Sequence, residues 1–266
     1  MNAQRLFYCL AVCLSVATSS VYAQDAYSGS YDSYEKKVFV SPSGDTLRYR
    51  LLSPEIKSEL KQYPVVIFLH GVGERGADNE KQLTHGGQMF LNPVNREIYP
   101  AFVIFPQCPA KEFWGYSSRP ASLTPDNMVI EEATPLTKSL KELLSTFLAM
   151  PQVDKARIYI MGLSMGGMGT FDMVCHYPEL FAAAIPICGS VNPARLAGAK
   201  GVSFRIFHGD ADMSVPVESS RAAYKALKAN GIPAEYIEFP GYEHNSWTSA
   251  FNYPDFMEWL FSQKKE

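Results

Sequence analysis

Two periods of apolar and polar residues alternate along this chain. Short runs of four to six mainly apolar residues are separated by longer segments with apolar residues at helical spacing. The runs are Val65–Leu69, Phe102–Phe105, Arg157–Met161, Ala182–Ile187, Phe204–Phe207 and Glu235–Phe239. Continuously apolar strands that alternate with helices are typical of a mostly parallel central sheet with helices on both faces. We therefore predict an α/β fold.

The same pattern sets the limits of the predicted domain. Residues 37–40 and 46–52 flank the turn Ser43-Gly44-Asp45, which predicts an N-terminal β-hairpin. No repeat or linker interrupts residues 35–266, so we expect a single domain there. We expect a flexible polar leader at 24–34 to precede it. The helical pattern covers residues 79–90, 126–149, 165–176, 217–230 and 249–261.

The first residues have a different character. One arginine precedes an apolar stretch at 6–16 that is too short to span a bilayer, and small residues lead up to Ala23. This pattern predicts a cleavable signal peptide over residues 1–23 and a secreted or periplasmic product with no membrane segment. A buried N-terminal helix would show polar positions on one face. A lipid anchor on Cys13 is disfavoured because Val12 is large for that motif.

Composition narrows the classes of function. The 266 residues are 47% hydrophobic, carry a formal net charge of −3 and have a pI near 6.0. This acidic balance excludes strong electrostatic attraction to nucleic acid. Outside the predicted signal, the cysteines are Cys108, Cys175 and Cys188, which have no zinc-like spacing and require no disulfide.

The sharpest motif is Gly162-Leu163-Ser164-Met165-Gly166-Gly167, which lies between a predicted strand and a predicted helix. A serine on such a tight turn is held exposed at the carboxyl edge of the sheet, and flanking glycines avoid collisions in the turn. The alternative is a glycine-rich turn with an ordinary serine. The context favours Ser164 as a nucleophile.

A nucleophilic serine needs a histidine base, which follows the acid in this strand–turn–helix arrangement. His244 lies in a loop after the last predicted strand, free to approach Ser164, and is the predicted base. We expect His208 to pack or hydrogen-bond at a strand end and His176 to complement a helix dipole. His85 has no motif and is expected in a loop or at the surface.

The acid is expected in the turn after the strand FRIF, which holds two carboxylates. We predict Asp212, because the turn toward Pro216 would direct it at the histidine, and keep Asp210 as the alternative. Asp210 is otherwise expected to hydrogen-bond the loop backbone. The acid holds the imidazole tautomer and stabilises the imidazolium without taking its proton.

An oxyanion hole needs two amide donors. We predict the amides of Met165 and of Val72, with Gly71 allowing the backbone to turn. The same loop also matches G-x-G-x-x-G over residues 71–76, the fingerprint of NAD-binding oxidoreductases. That alternative is disfavoured because no helix opens within the glycines and because it leaves the Ser–Asp–His order unexplained.

Five strings together resemble secreted bacterial α/β-hydrolases of the carboxylesterase group, variously labelled feruloyl esterase, polyhydroxybutyrate-depolymerase-like esterase or predicted peptidase. The strings are FLHGVGERGADN (68–79), FPQCP (105–109), GLSMGGMGTFD (162–172), HGDADMSVPVESS (208–220) and HNSW (244–247). The resemblance implies Ser164 as nucleophile, Asp212 as acid and His244 as base, the residues already favoured above. It implies no cofactor and no metal.

The substrate is expected to be a small-molecule or polysaccharide-linked ester, such as a feruloyl or acetyl group on xylan. The connection at 189–202 is too short for a large cap domain, so we expect an open site. Trp114 and Trp247 are the predicted substrate-binding aromatics, although they could also merely anchor loops. A serine peptidase and a non-catalytic carbohydrate-binding module are the alternatives.

Overall fold

An eight-stranded sheet organises the structure, a computed structural model that describes residues 28–55 and 60–266. The strands are β1 Glu35–Val40, β2 Thr46–Leu52, β3 Tyr63–Leu69, β4 Phe102–Pro106, β5 Val153–Leu163, β6 Ala183–Ile187, β7 Ser203–Gly209 and β8 Ala234–Phe239. Their order is β1-β2-β4-β3-β5-β6-β7-β8. The strands from β3 to β8 pair in parallel, and the β1–β2 hairpin joins β4 in antiparallel fashion. The predicted α/β fold with an N-terminal hairpin is confirmed.

Helices cover both faces of this sheet. They are α1 Gly87–Leu91, α2 Pro93–Ile98, α3 Pro135–Leu148, α4 Met165–His176, α5 Glu218–Ala229, α6 Trp247–Phe251 and α7 Phe256–Ser262. Val65 and Ile67 of β3 join the apolar cluster that contains α3, α4 and α5 residues, whereas Val66 and Phe68 join the cluster beneath α1 and α7. Successive strand residues therefore fill opposite faces, as the pleat requires.

Three predicted helices were wrong in extent, each for a local reason. The segment 79–90 forms only a 3-10 turn at Lys81–Leu83 and the short α1, because Gly86 takes a left-handed φ of 81° between them. Helix α3 begins at Pro135 rather than at 126, with Thr134 accepting a hydrogen bond from the Thr137 amide as its cap. The segment 249–261 divides into α6 and α7 around a proline, Pro254, which removes a helical hydrogen bond.

The N-terminal expectations meet the structure only in part. The predicted signal peptide and the first residues of the predicted leader lie outside the described residues. Of the remainder, Tyr34 is buried with its hydroxyl donating to the Gly87 carbonyl at 2.9 Å, and Tyr31 donates to the Leu83 carbonyl at 2.9 Å. Tyrosine hydroxyls thus attach residues 31–34 to α1 and to the 3-10 turn that precedes it. Across the described residues, we find no helix whose length and apolar content would let it span a bilayer.

Candidate active site

The turn from β5 into α4 holds Ser164 in a strained conformation. Its φ of 54° and ψ of −119° lie outside the regions that ordinary residues favour, and Met165 begins the helix at once. A Cβ atom on Gly166 would overlap the Leu69 carbonyl, and one on Gly162 would lie 2.5 Å from the Gly166 carbonyl oxygen. Only glycine therefore fits at either position, which explains the spacing of the motif.

His244 bridges Ser164 and Asp212. Its Nε2 atom lies 2.8 Å from the Ser164 hydroxyl oxygen, and its Nδ1 atom lies 2.7 Å from Asp212 Oδ2. Because an ionised carboxylate only accepts hydrogen bonds, Nδ1 carries the proton and Nε2 is free to accept from the serine hydroxyl. The structure thus brings together the three predicted residues from loops far apart in the chain, in the geometry of a proton-transfer relay.

Asp212 is buried but stays ionised. Its Oδ1 atom accepts hydrogen bonds from the amides of Ser214 and Val215 at 2.8 and 2.9 Å. Burial opposes the charge, but hydrogen bonds from His208, His244 and the Val215 amide outweigh it and hold the pKa of the Asp212 carboxyl well below its usual range. The second carboxylate in this turn, Asp210, is exposed and accepts from the Gly241 amide at 2.6 Å, so it bonds the backbone of the loop after β8 rather than that of its own loop.

The predicted oxyanion loop after β3 is held by its own arginine. Val72 opens a 3-10 turn, and its carbonyl accepts from Arg75 Nε at 3.1 Å. The Arg75 guanidinium also lies 4.5 Å from the centre of the Phe113 ring. Gly71 is extended, with φ −76°, so the expectation that its freedom makes the turn was wrong; a Cβ there would instead crowd Leu163 at 2.9 Å.

The two predicted donors, the amides of Val72 and Met165, each stand at the first position of a helical turn. In residues 28–55 and 60–266, neither the Val72 amide nor the Met165 amide donates to a backbone carbonyl outside its own helix. Their assignment to an oxyanion hole remains a prediction.

His70 is a residue that the sequence analysis passed over. It is buried, with Nδ1 donating to the Gly71 carbonyl at 2.6 Å and Nε2 accepting from the Cys108 amide at 3.0 Å. Burial lowers the pKa of His70 to about 4, against the upward effect of the Gly71 bond. The ring therefore stays neutral and ties the oxyanion loop to the segment after β4. The sequence offers one signal for this role: His70 directly follows a buried strand and directly precedes the predicted oxyanion loop.

The prediction that Trp114 binds substrate was wrong. Its side chain is fully buried, and its Nε1 atom donates to the His70 carbonyl at 3.1 Å. A Cβ on Gly169 of α4 would lie 2.5 Å from that of Trp114, so the indole is packed against the helix. Trp114 anchors its long loop to α4 and offers no face to a ligand.

Trp247 lies beside the predicted base, and its role in binding substrate stays a prediction. Its half-buried ring meets the His244 ring edge-on, with centroids 5.5 Å apart and planes at 86°, and also contacts His85. Three exposed apolar side chains lie on the loops that carry the predicted oxyanion donor, acid and base: Val72 is 47% exposed, Met213 94% and Tyr242 45%. We call Val72, Met213, Tyr242 and Trp247 the catalytic rim.

The connection between β6 and β7 carries no α-helix that could cap the site. Between β6 and β7 the described chain forms only a 3-10 turn at Pro193–Gly198, so the expectation of no large cap domain agrees with the structure. The dinucleotide alternative loses its structural basis, because the glycine loop at 71–76 leads into a single 3-10 turn and the next α-helix begins at Gly87. Pyrophosphate recognition at a helix N-terminus is therefore absent from this loop.

One group of metal-ligand type lies among the described residues. Single atoms of Cys188, Asp212 and His244 lie within 4.8 Å of one another. Asp212 and His244 already bond each other, and burial raises the pKa of the Cys188 thiol well above its usual range. Cys188 therefore packs beneath the serine and its base as a neutral thiol.

Comparison with known proteins gives one family. A family model described as Phospholipase/Carboxylesterase matches residues 54–255. The chain is 24% identical over 209 residues to carboxylesterase SOBER1 of Arabidopsis thaliana, covering 71% of this chain and 86% of that protein. It is 28% identical over 195 residues to an endo-1,4-beta-xylanase/feruloyl esterase of Xylanibacter ruminicola, covering 73% of this chain but 26% of that protein.

A solved structure agrees with the fold. A thermostable esterase superposes with a TM-score of 0.80 at 35% identity. The match covers 88% of this chain and 64% of that esterase, so this chain spans less than two thirds of the esterase.

Proposed function

The chain belongs to the phospholipase/carboxylesterase family, and from that premise we propose that it is a serine carboxylic-ester hydrolase in which Ser164, Asp212 and His244 form the catalytic triad. The observation that carries the proposal is the double contact of His244, at 2.8 Å from the Ser164 hydroxyl and 2.7 Å from Asp212. An imidazole whose tautomer is fixed by a carboxylate, and whose other nitrogen faces a serine hydroxyl, is the arrangement that activates a serine nucleophile.

The proposed reaction has two halves, acylation of the serine and hydrolysis of the acyl-enzyme. His244 Nε2 takes the proton of Ser164 as the hydroxyl oxygen attacks the ester carbonyl, and Asp212 stabilises the resulting imidazolium. The amides of Val72 and Met165 receive the oxyanion. The alcohol leaves with the proton from His244. Water, deprotonated by the same imidazole, then hydrolyses the acyl-enzyme and restores the serine.

We propose further that the substrate is a feruloyl or acetyl ester on a plant cell-wall polysaccharide such as xylan. An uncapped site fits an ester on a large polymer, and Trp247 beside His244 gives a ring for stacking on a phenolic or sugar face. The relative from Xylanibacter ruminicola carries the printed name feruloyl esterase. Action outside the cytoplasm, through the signal peptide predicted at 1–23, belongs to the same proposal.

The test is hydrolysis by the purified protein and two serine variants. Ser164→Ala removes the nucleophile, whereas Ser145→Ala removes an exposed hydroxyl on α3 that bonds only the Lys141 carbonyl. The panel contains p-nitrophenyl acetate, methyl ferulate, acetylated xylan and an aminoacyl p-nitroanilide. We expect kcat/KM for the esters to fall at least about 10⁴-fold in Ser164→Ala and to stay unchanged in Ser145→Ala.

The outcomes separate the candidates. The ratio of ferulate to acetate release distinguishes the two acyl groups. Anilide cleavage without ester turnover would replace the esterase by a serine peptidase of the same fold. A folded wild-type protein that turns over none of the four compounds would overturn the proposal and favour a binding module.

A further inference from the structure

A second histidine contacts the proposed catalytic acid from below. His208, at the end of β7, is fully buried, and its Nε2 atom lies 3.2 Å from Asp212 Oδ2 and 3.0 Å from the Val215 carbonyl. Its Nδ1 atom lies 2.7 Å from the hydroxyl of Ser220. The Asp212 Oδ2 atom therefore lies between two imidazoles, with His208 on the buried side and His244 facing Ser164.

The partners of His208 determine where its proton lies. A carbonyl and an ionised carboxylate can only accept, so Nε2 must carry a hydrogen and donate to them. Ser220 is the one partner that can give a proton, and in the neutral ring it donates to Nδ1. Every polar atom of the ring is then satisfied by the Nε2–H tautomer. The opposite tautomer would direct an Nε2 lone pair at two acceptors in a buried site.

The other charged groups around His208 do not compete for this donor. Glu238 on β8 lies opposite His208 in the strand register, but its carboxylate is bonded to Arg221 of α5 at 2.7 and 2.9 Å and to the Tyr236 hydroxyl. Asp212 contacts His208 directly, and the same carboxylate has His244 and the neutral thiol of Cys188 on its other sides. The nearest carboxylate that accepts from His208 is therefore that of Asp212.

We propose that His208 is a positioning residue for the triad, a permanent Nε2–H donor that holds the Asp212 carboxylate in place and shares its charge with His244. The inference rests on the proposed function of Ser164, Asp212 and His244. A carboxylate oxygen that already accepts one hydrogen bond attracts a second proton less strongly. His208 thereby keeps the Asp212 carboxylate oriented toward Nδ1 of His244.

Two variants test the positioning role. His208→Leu removes the donor, whereas His208→Gln places an amide nitrogen near the original Nε2 and retains it. The readout is the pH profile of kcat/KM for p-nitrophenyl acetate, whose acid limb reports the base of the free enzyme. In His208→Leu, Asp212 holds the His244 proton more strongly, so we expect the limb to move up by about half a pH unit or more.

The rest of the profile separates positioning from structure. We expect the plateau of kcat/KM to fall about tenfold in His208→Leu, and His208→Gln to keep the limb of the wild type. Lower activity with an unmoved limb in His208→Leu would show a merely structural residue and overturn the proposal. A limb that moves equally in both variants would also overturn it, because the retained donor would then make no difference.

A second measurement needs no folded variant. The chain has five histidines, so ¹⁵N spectra of histidine-labelled wild-type protein resolve the ring tautomers. We expect one buried ring with a protonated Nε2 that keeps this state across the acid limb of activity. A protonated Nδ1 on His208 would overturn the proposal. Full ester hydrolysis by Ser164→Ala would instead overturn the proposed function and leave the His208 tautomer to be decided by these spectra.

Discussion

The floor and the catalytic rim of the site lie at the same edge of the sheet and are built in opposite ways. In the floor, Gly162–Gly167, a single added methyl group meets backbone atoms. In the rim, Met213 and Tyr242 extend into solvent on loops that also carry Asp212 and His244. Under the proposed function, the floor holds the reacting groups in one geometry and the rim meets the variable part of a substrate. Chemistry and specificity therefore depend on different physical constraints.

The largest loss of stability is expected from a substitution that adds a side-chain atom in the floor. Gly166→Ala places a Cβ on the Leu69 carbonyl, which cannot move without displacing β3. We expect the free energy of unfolding to fall by about 4 kcal/mol or more, because overpacking against backbone has no side chain to absorb it. The measurement is urea unfolding. The control is Gly73→Ala in the oxyanion loop, where nothing lies within 4 Å of the added carbon, and an equal loss there would contradict the argument.

The two tryptophans extend the comparison from floor to rim. Trp114→Ala opens a cavity between the long loop and α4 and leaves the His70 carbonyl without a donor, so we expect a loss of about 3 to 5 kcal/mol in unfolding free energy. Trp247→Ala removes a half-buried ring, and we expect a loss near 1 kcal/mol with a KM several-fold higher for methyl ferulate. Equal losses of stability in the two variants would contradict the distinction between a buried anchoring tryptophan and a half-buried tryptophan of the rim.

Acid should loosen the oxyanion loop through His70. Burial lowers its pKa from 6.5 to about 4. Between pH 6.5 and pH 4, His70 is therefore protonated in the unfolded chain but neutral in the folded protein. This contribution to stability is complete above about pH 6.5 and is lost as the pH falls to 4, at most about 3 kcal/mol.

The matched variant for that prediction is His70→Gln, which keeps an acceptor for the Cys108 amide and cannot titrate. Unfolding free energies at pH 7 and pH 4.5 should differ less in this variant than in the wild type. The same pH dependence in both proteins would show that other groups, and not His70, control acid stability.

The smallest effect on folding is expected in the rim. Met213 is 94% exposed, so Met213→Ala should change the unfolding free energy by no more than about 0.5 kcal/mol. Because Met213 follows Asp212 directly, the same change should lower kcat/KM for acetylated xylan more than for p-nitrophenyl acetate. Parallel kinetics on both substrates check this, and an equal change would place Met213 outside the substrate path.

The strands and the identities of the proposed triad could be predicted because each has a local signal. Buried strands such as β3 need continuous apolar runs, and Ser164 needs glycines two residues to either side. The turn toward Pro216 predicts Asp212 rather than Asp210 as the acid, and in the structure the two carboxylates have different partners. Helix lengths were less predictable where Gly86 and Pro254 interrupt an otherwise helical pattern.

The burial of single side chains could not be predicted in the same way. Trp114 and His70 are 44 residues apart, and their hydrogen bond depends on how the long loop folds over α4. A loop with the same sequence but with the Trp114 indole exposed to solvent would show the same pattern of apolar and polar residues. The sequence left open whether the aromatics bind substrate or anchor loops, and tertiary packing gave Trp114 the anchoring role.

By itself, the sequence determined the α/β order of elements and which serine, carboxylate and histidine to expect at one edge of the sheet, since strand periodicity and turn chemistry act over a few residues. Only the tertiary structure decided that Asp212 lies between two histidines and that Trp114 is fully buried while Trp247 stays half-buried beside His244. Those contacts arise when distant segments compete for the same buried volume and the same hydrogen-bond acceptors, which no local pattern encodes.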